Sequence, residues 1–166
     1  MLGLSTIGIV HTLIGLIAVG FGIAAFWQYG EIGTRTRSGL LYVVLTVLTC
    51  ITGFFLFKHG GFGKPHALGV LTLVVLGAAY GAERRPGRIA RYVGVISYST
   101  TFFFHMIPGF TETLTRLPAG APWAASPEAA NLQALIGGVF LLFLIGLALQ
   151  LRALRRRDLR PLGAVA

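Results

Sequence analysis

Apolar positions fall in five long runs, separated by short polar connections. The runs cover residues 4–28, 40–57, 66–82, 92–113 and 132–151. An α-helix rises 1.5 Å per residue, so about 20 apolar residues cross the hydrocarbon core of a bilayer. The pattern therefore predicts an all-α integral membrane protein, a bundle of five helices. The third run is short and relies on interfacial residues at its ends. Pro65 stands where the first turn of the third helix tolerates it. Pro108 lies inside the fourth run and predicts a kink one turn beyond His105. Ser126, Pro127 and Glu128 read as the N-cap and first turn of the fifth helix. Trp27 and Trp123 are placed near the two interfaces.

Composition agrees with the pattern. The chain has 166 residues, 55% of them hydrophobic and only 11% charged, where a soluble domain carries about 25% charged residues. The net charge of +9 suggests nucleic acid as a partner. That reading is excluded, because the basic residues cluster between apolar runs, as in membrane-protein loops. With five spans, one side receives Arg35, Arg37, Arg84, Arg85, Arg88, Arg91 and the arginines from Arg152 to Arg160, eleven in all, and the other only Lys58, Lys64 and Arg116. The positive-inside rule then sets the N-terminus outside and the C-terminus in the cytoplasm. Residues 1–151 form the transmembrane bundle and 152–166 a basic cytoplasmic tail, in a bacterial cytoplasmic (inner) membrane. The first run lacks a basic leader and a cleavage site followed by a polar chain, and is read as a retained helix. Cys50 is alone, which excludes an intrachain disulfide and a CxxC metal motif.

This topology gathers the histidines at one depth. His11 lies near the outer end of the first helix, His59 in the second connection, His66 at the start of the third helix, and His105 near the outer end of the fourth. An ionisable group within an apolar run is costly and marks a site by default. Helical periodicity puts Gly94, Tyr98, Thr101, Gly109 and Glu112 on the His105 face. The opposite face, with Val93, Ile96, Phe103 and Phe110, suits lipid or packing. Gly8, Thr12, Gly15 and Gly22 share the His11 face, and Gly69, Leu73 and Gly77 that of His66. The second helix adds a stripe of Tyr42, Thr46, Thr49, Cys50 and Gly53. The fifth has no histidine and is expected at the periphery.

Imidazoles opposed across a helix bundle are the usual axial pair of a membrane b-type haem, and imidazole also binds Fe, Cu and Zn. The candidate cofactor-binding residues are His11, His105 and His66, with Gly15 and Gly109 admitting a flat macrocycle; the three histidines are also the candidate metal ligands. For haem b the first pair is His11 and His105, with iron about 2 Å from each Nε2 and the two nitrogens about 4 Å apart. Each histidine taken alone reads as a hydrogen-bonded interfacial residue before it reads as a ligand; the shared depth and the glycine-lined faces are what support a joint site. No HxxxH, ExxH or HExxH spacing is present, and no catalytic set can be named.

Gly33-Thr34, Gly39 and Tyr42, followed by a histidine opening the third helix in HALGVLTLVVLG, resemble an uncharacterised family of small bacterial multi-span membrane proteins, a domain of unknown function. Where that group has further histidines, this chain has Arg35 and Arg37, and Arg91 and Tyr92. More distantly, the histidines in a short bundle are similar to those of small membrane b-type cytochromes. Three classes of function follow. The first is a haem- or metal-binding redox protein, linked to a quinone or a partner complex. The second is a non-catalytic accessory subunit of a larger membrane assembly, and the third a small transporter. Whether the chain is an enzyme is not decided at this level.

Overall fold

The structure is a computed structural model that describes residues 5–56 and 61–158. Those residues form five α-helices and no strand: α1 (Thr6–Tyr29), α2 (Arg37–Gly53), α3 (Lys64–Glu83), α4 (Arg88–Leu114) and α5 (Ala130–Asp158). Each coincides with one apolar run. His59 and Lys58 of the second connection lie outside the described residues. α1, α3 and α5 are long and apolar enough to cross a membrane. α2, at 17 residues, spans only about 25 Å of rise. α4 has 27 residues, but its apolar residues are interrupted by the Tyr, Ser, Thr and His of its polar stripe.

Local signals set most of the boundaries. Ser5 caps α1 by accepting from the Gly8 N–H at 3.2 Å, and Thr36 caps α2 by accepting from Gly39 at the same distance. Such caps occupy N–H groups that a helix start leaves orphaned. Gly30 ends α1 with φ of +75°, a left-handed conformation that suits glycine. Two sequence expectations differ in detail. Ser126 does not cap α5. Its hydroxyl accepts from the Glu128 N–H at 3.2 Å and so closes a local turn, and the helix begins only at Ala130. α5 also runs past the end of its apolar run at Leu151, through the first arginines of the basic segment to Asp158. α4 continues through Pro108 to Leu114.

Successive helices run antiparallel. α1 packs on α2, α3 on α4, the two hairpins meet through α2–α3 and α1–α4, and α5 packs on α4 alone. The core holds Ala25, Ile32, Tyr42, Leu76, Ala79 and Tyr98, with Phe26 and Phe102 packed against it. Gly22 lets α1 approach this core: a Cβ there would lie 2.7 Å from the Phe102 ring and 3.0 Å from that of Tyr42. α5 is held by aromatic stacking, with Phe103 5.1 Å from Phe143 and 5.3 Å from Phe140 between centroids. Only Leu132 and Leu154 of α5 are fully buried, while Leu141, Leu142 and Ile145 stand exposed. The molecule thus has a histidine end, with the α1 start and the α4 finish, and an arginine end, with the α1–α2 and α3–α4 turns.

Candidate functional site

His11, His66 and His105 all belong to the histidine end, but each is tied to a different neighbour. His105 of α4 reaches α2, where its Nε2 lies 3.0 Å from Thr46 Oγ1. The Thr46 hydroxyl has one proton, and that proton is donated to the Tyr42 carbonyl at 2.8 Å. A hydroxyl that has spent its hydrogen can only accept, so His105 Nε2 is the protonated nitrogen and donates to Thr46.

The same logic assigns the other rings. His11 Nδ1 lies 3.1 Å from Thr52 Oγ1, whose hydrogen goes to the Leu48 and Thr49 carbonyls at 2.9 and 3.1 Å. His11 therefore donates through Nδ1. His66 Nδ1 accepts from the Gly63 N–H at 3.2 Å at the start of α3, which places the proton of the neutral ring on Nε2. His66 is buried and its ring lies 5.3 Å from Phe62.

His11 and His105 are within electrostatic reach of one another. Their partners on α2, Thr46 and Thr52, are six residues apart, about 9 Å of helical rise. The glycines expected to admit a macrocycle face different surroundings. A Cβ at Gly15 would meet Thr49 of α2 at 3.5 Å, so this glycine packs against a helix, whereas Gly109 is exposed with no neighbour within 4 Å of that position. Gly53 of α2 lies against His11: a Cβ there would be 3.1 Å from the ring. Among the described residues no group of three or more His, Cys, Asp or Glu side chains is placed to hold a metal ion. Glu112, on the same helix face as His105, pairs with Arg116 one turn on. Lys64 at the start of α3 donates to Glu128 at 3.3 Å, and this bond holds the Glu128 carboxyl below the usual carboxylate range.

The polar stripes on α2 and α4 meet in the interior. Tyr42 and Thr101 are fully buried, and their hydroxyls are 2.9 Å apart. Thr101 donates to the Tyr98 carbonyl at 2.8 Å, so the Tyr42 hydroxyl donates to Thr101. The Tyr42 ring stands edge-on to His105 at 5.9 Å. At the arginine end the Tyr98 hydroxyl donates to Glu83 at 2.7 Å. The same carboxylate oxygen accepts from the Thr34 N–H at 3.1 Å and from its hydroxyl at 2.8 Å. Arg35 donates to the Glu83 carbonyl at 3.0 Å. Glu83 thereby joins the α1–α2 turn to both α3 and α4. Nearby, Ser99 donates to Gln150 of α5 at 2.8 Å, and Gln150 donates to the Gly30 carbonyl at 2.7 Å.

The sequence reading missed Glu83 because it took residues 83–91 for a basic connection. The available signal was one carboxylate at the very end of an apolar run, beside four arginines. It also missed Thr52, one turn beyond Thr49 of the polar stripe read on α2, and Gln150, which stands at the end of the long apolar stretch of α5. Compared with known proteins, the chain matches no family model, no curated protein and no solved structure.

Proposed function

We propose that this protein is a five-span integral protein of a bacterial cytoplasmic membrane, N-terminus outside, and that it serves as a non-catalytic helical subunit of a larger membrane assembly. The observation that carries this reading is the state of the histidine rings. His105 Nε2, the nitrogen through which iron would be bound, lies 3.0 Å from Thr46 of the neighbouring helix and is engaged there, and His66 Nδ1 accepts from the Gly63 N–H at the start of its own helix. Between apolar helices in lipid, hydrogen bonds and close packing replace the hydrophobic effect as the source of association. Imidazole–threonine bonds from α1 and from α4 to α2 supply such contacts. The partner-facing element is α5, which packs against α4, is tied to Gly30 through Gln150, and leaves most of its apolar length uncovered.

A haem- or metal-binding redox role is the second reading, favoured by the electrostatic proximity of His11 and His105 and by the Nδ1 bond of His11, which is the orientation a metal-ligating imidazole commonly takes. The two readings separate in the visible spectrum of protein purified from cells supplied with haem precursor. The accessory reading expects no Soret band. A band that His11→Ala or His105→Ala abolishes establishes the redox reading instead. The topology is tested by tags at each terminus: they should report opposite sides of the membrane, and tags on one side would reject five spans.

A further inference from the structure

At the arginine end, the start of α4 and the last turns of α5 enclose a groove of about 410 Å³. Its lining divides by character. Arg88 of α4 and Arg155 of α5 supply its charge, and Ile89, Tyr92, Val93 and Ile96 form an apolar floor along α4. Three observations point to an occupant with a negative head and an apolar tail. Arg155 has no ion pair among the described residues, while Arg88 is only partly engaged, by Asp158 at 3.5 Å. The Tyr92 hydroxyl is buried with no hydrogen-bond partner among the described residues, a donor or acceptor that a buried group does not forgo without cost. α4 starts at this place, after Gly87 with no side-chain cap, so the positive end of its dipole lies beside Arg88 of the lining. The floor continues along α4 with Val93 and Ile96, both exposed. A soluble anion would satisfy the arginines and leave that floor bare.

We propose that this groove binds an anionic phospholipid, its phosphodiester between Arg88 and Arg155 and one acyl chain along Val93 and Ile96. Basic pockets between helices on the cytoplasmic side suit such headgroups. The proposal rests on the membrane topology above but not on the role assigned to the histidines.

The test uses the full chain in detergent, with bound lipid counted by native mass spectrometry. Phosphatidylglycerol and phosphatidylcholine of matched chains are titrated in turn, and inorganic phosphate is added as a competitor. Phosphatidylglycerol should be retained with roughly tenfold or greater preference, and R88A/R155A should reduce the preference to within about twofold. R84A/R85A, which removes charge outside the groove, should keep it. If the double variant does not purify folded, Arg155→Gln alone should lower the preference, since Arg155 is exposed on α5. No preference for the anionic lipid, a preference that survives loss of Arg155, or displacement of the lipid by inorganic phosphate would each overturn the proposal. A chain that leaves the membrane fraction without detergent fails the topology itself, an outcome distinct from a loss of lipid preference.

Discussion

Removing the Glu83 carboxylate should destabilise the fold far more than removing its charged partner Arg35. In Glu83→Ala three donors lose their acceptor: the Thr34 N–H, the Thr34 hydroxyl and the Tyr98 hydroxyl. Thr34 is at the half-buried rim, where water replaces much of what is lost. Tyr98 is 2% exposed, so its hydroxyl is stranded, at about 1–3 kcal/mol. With a smaller share from Thr34, the total is about 3 kcal/mol. For a chain of this length that is a fall of roughly 6–12 °C in Tm. Arg35 approaches the same carboxylate at only 3.9 Å, and its side chain is 80% exposed. Arg35→Ala should therefore cost at most about 1 kcal/mol. The assay is reversible unfolding in mixed micelles followed by circular dichroism, with Tyr98→Phe completing a double-mutant cycle. The reasoning fails if Glu83→Ala melts with the parent protein, or if Tyr98→Phe costs as much without Glu83 as with it.

Other contacts give equally definite outcomes. Gly39→Ala drives a Cβ into the Gly33 backbone; it should cost several kcal/mol, about 3 or more, whereas Gly77→Ala, with no neighbour within 4 Å, should be neutral or stabilise by up to about 1 kcal/mol. Both are read by the same melts. Thr46→Val keeps the side-chain shape and removes the acceptor of His105 Nε2–H; a loss of about 1–3 kcal/mol is expected, against little change for Thr100→Val, whose exposed hydroxyl donates to the Ile96 carbonyl of its own helix. Gln150→Leu cuts the two bonds that fasten α5 to Ser99 and Gly30, so amide exchange in the last turns of α5 should accelerate while that of α2 stays unchanged.

The runs of apolar residues placed all five helices because the helical period and the length of a run are local properties. Faces were legible for the same reason: Gly94, Tyr98 and Thr101, grouped by periodicity with His105, are all buried, and α5, with no polar stripe, lies at the edge. What periodicity does not carry is the identity of the partner across a helix contact. It aligned His11 with Gly15 and His105 with Gly109, but Gly15 faces Thr49 and Gly109 faces outward. Thr46 and Thr52, the groups that orient the rings, sit on a helix without a histidine. Glu83 was hidden because its partners, Thr34 and Tyr98, are 49 and 15 residues away and only the folded chain joins them.

The protonation of His105 decides most directly whether the histidines hold helices or a cofactor. Nitrogen NMR of the ¹⁵N-histidine-labelled protein in micelles, with His105→Ala to assign the resonance, reads the tautomer of that ring. A proton on Nε2, with a resonance that haem addition does not shift and no Soret band, is the expected result. A deprotonated Nε2, or a haem-dependent shift of the His105 resonance with a Soret band, would contradict the account.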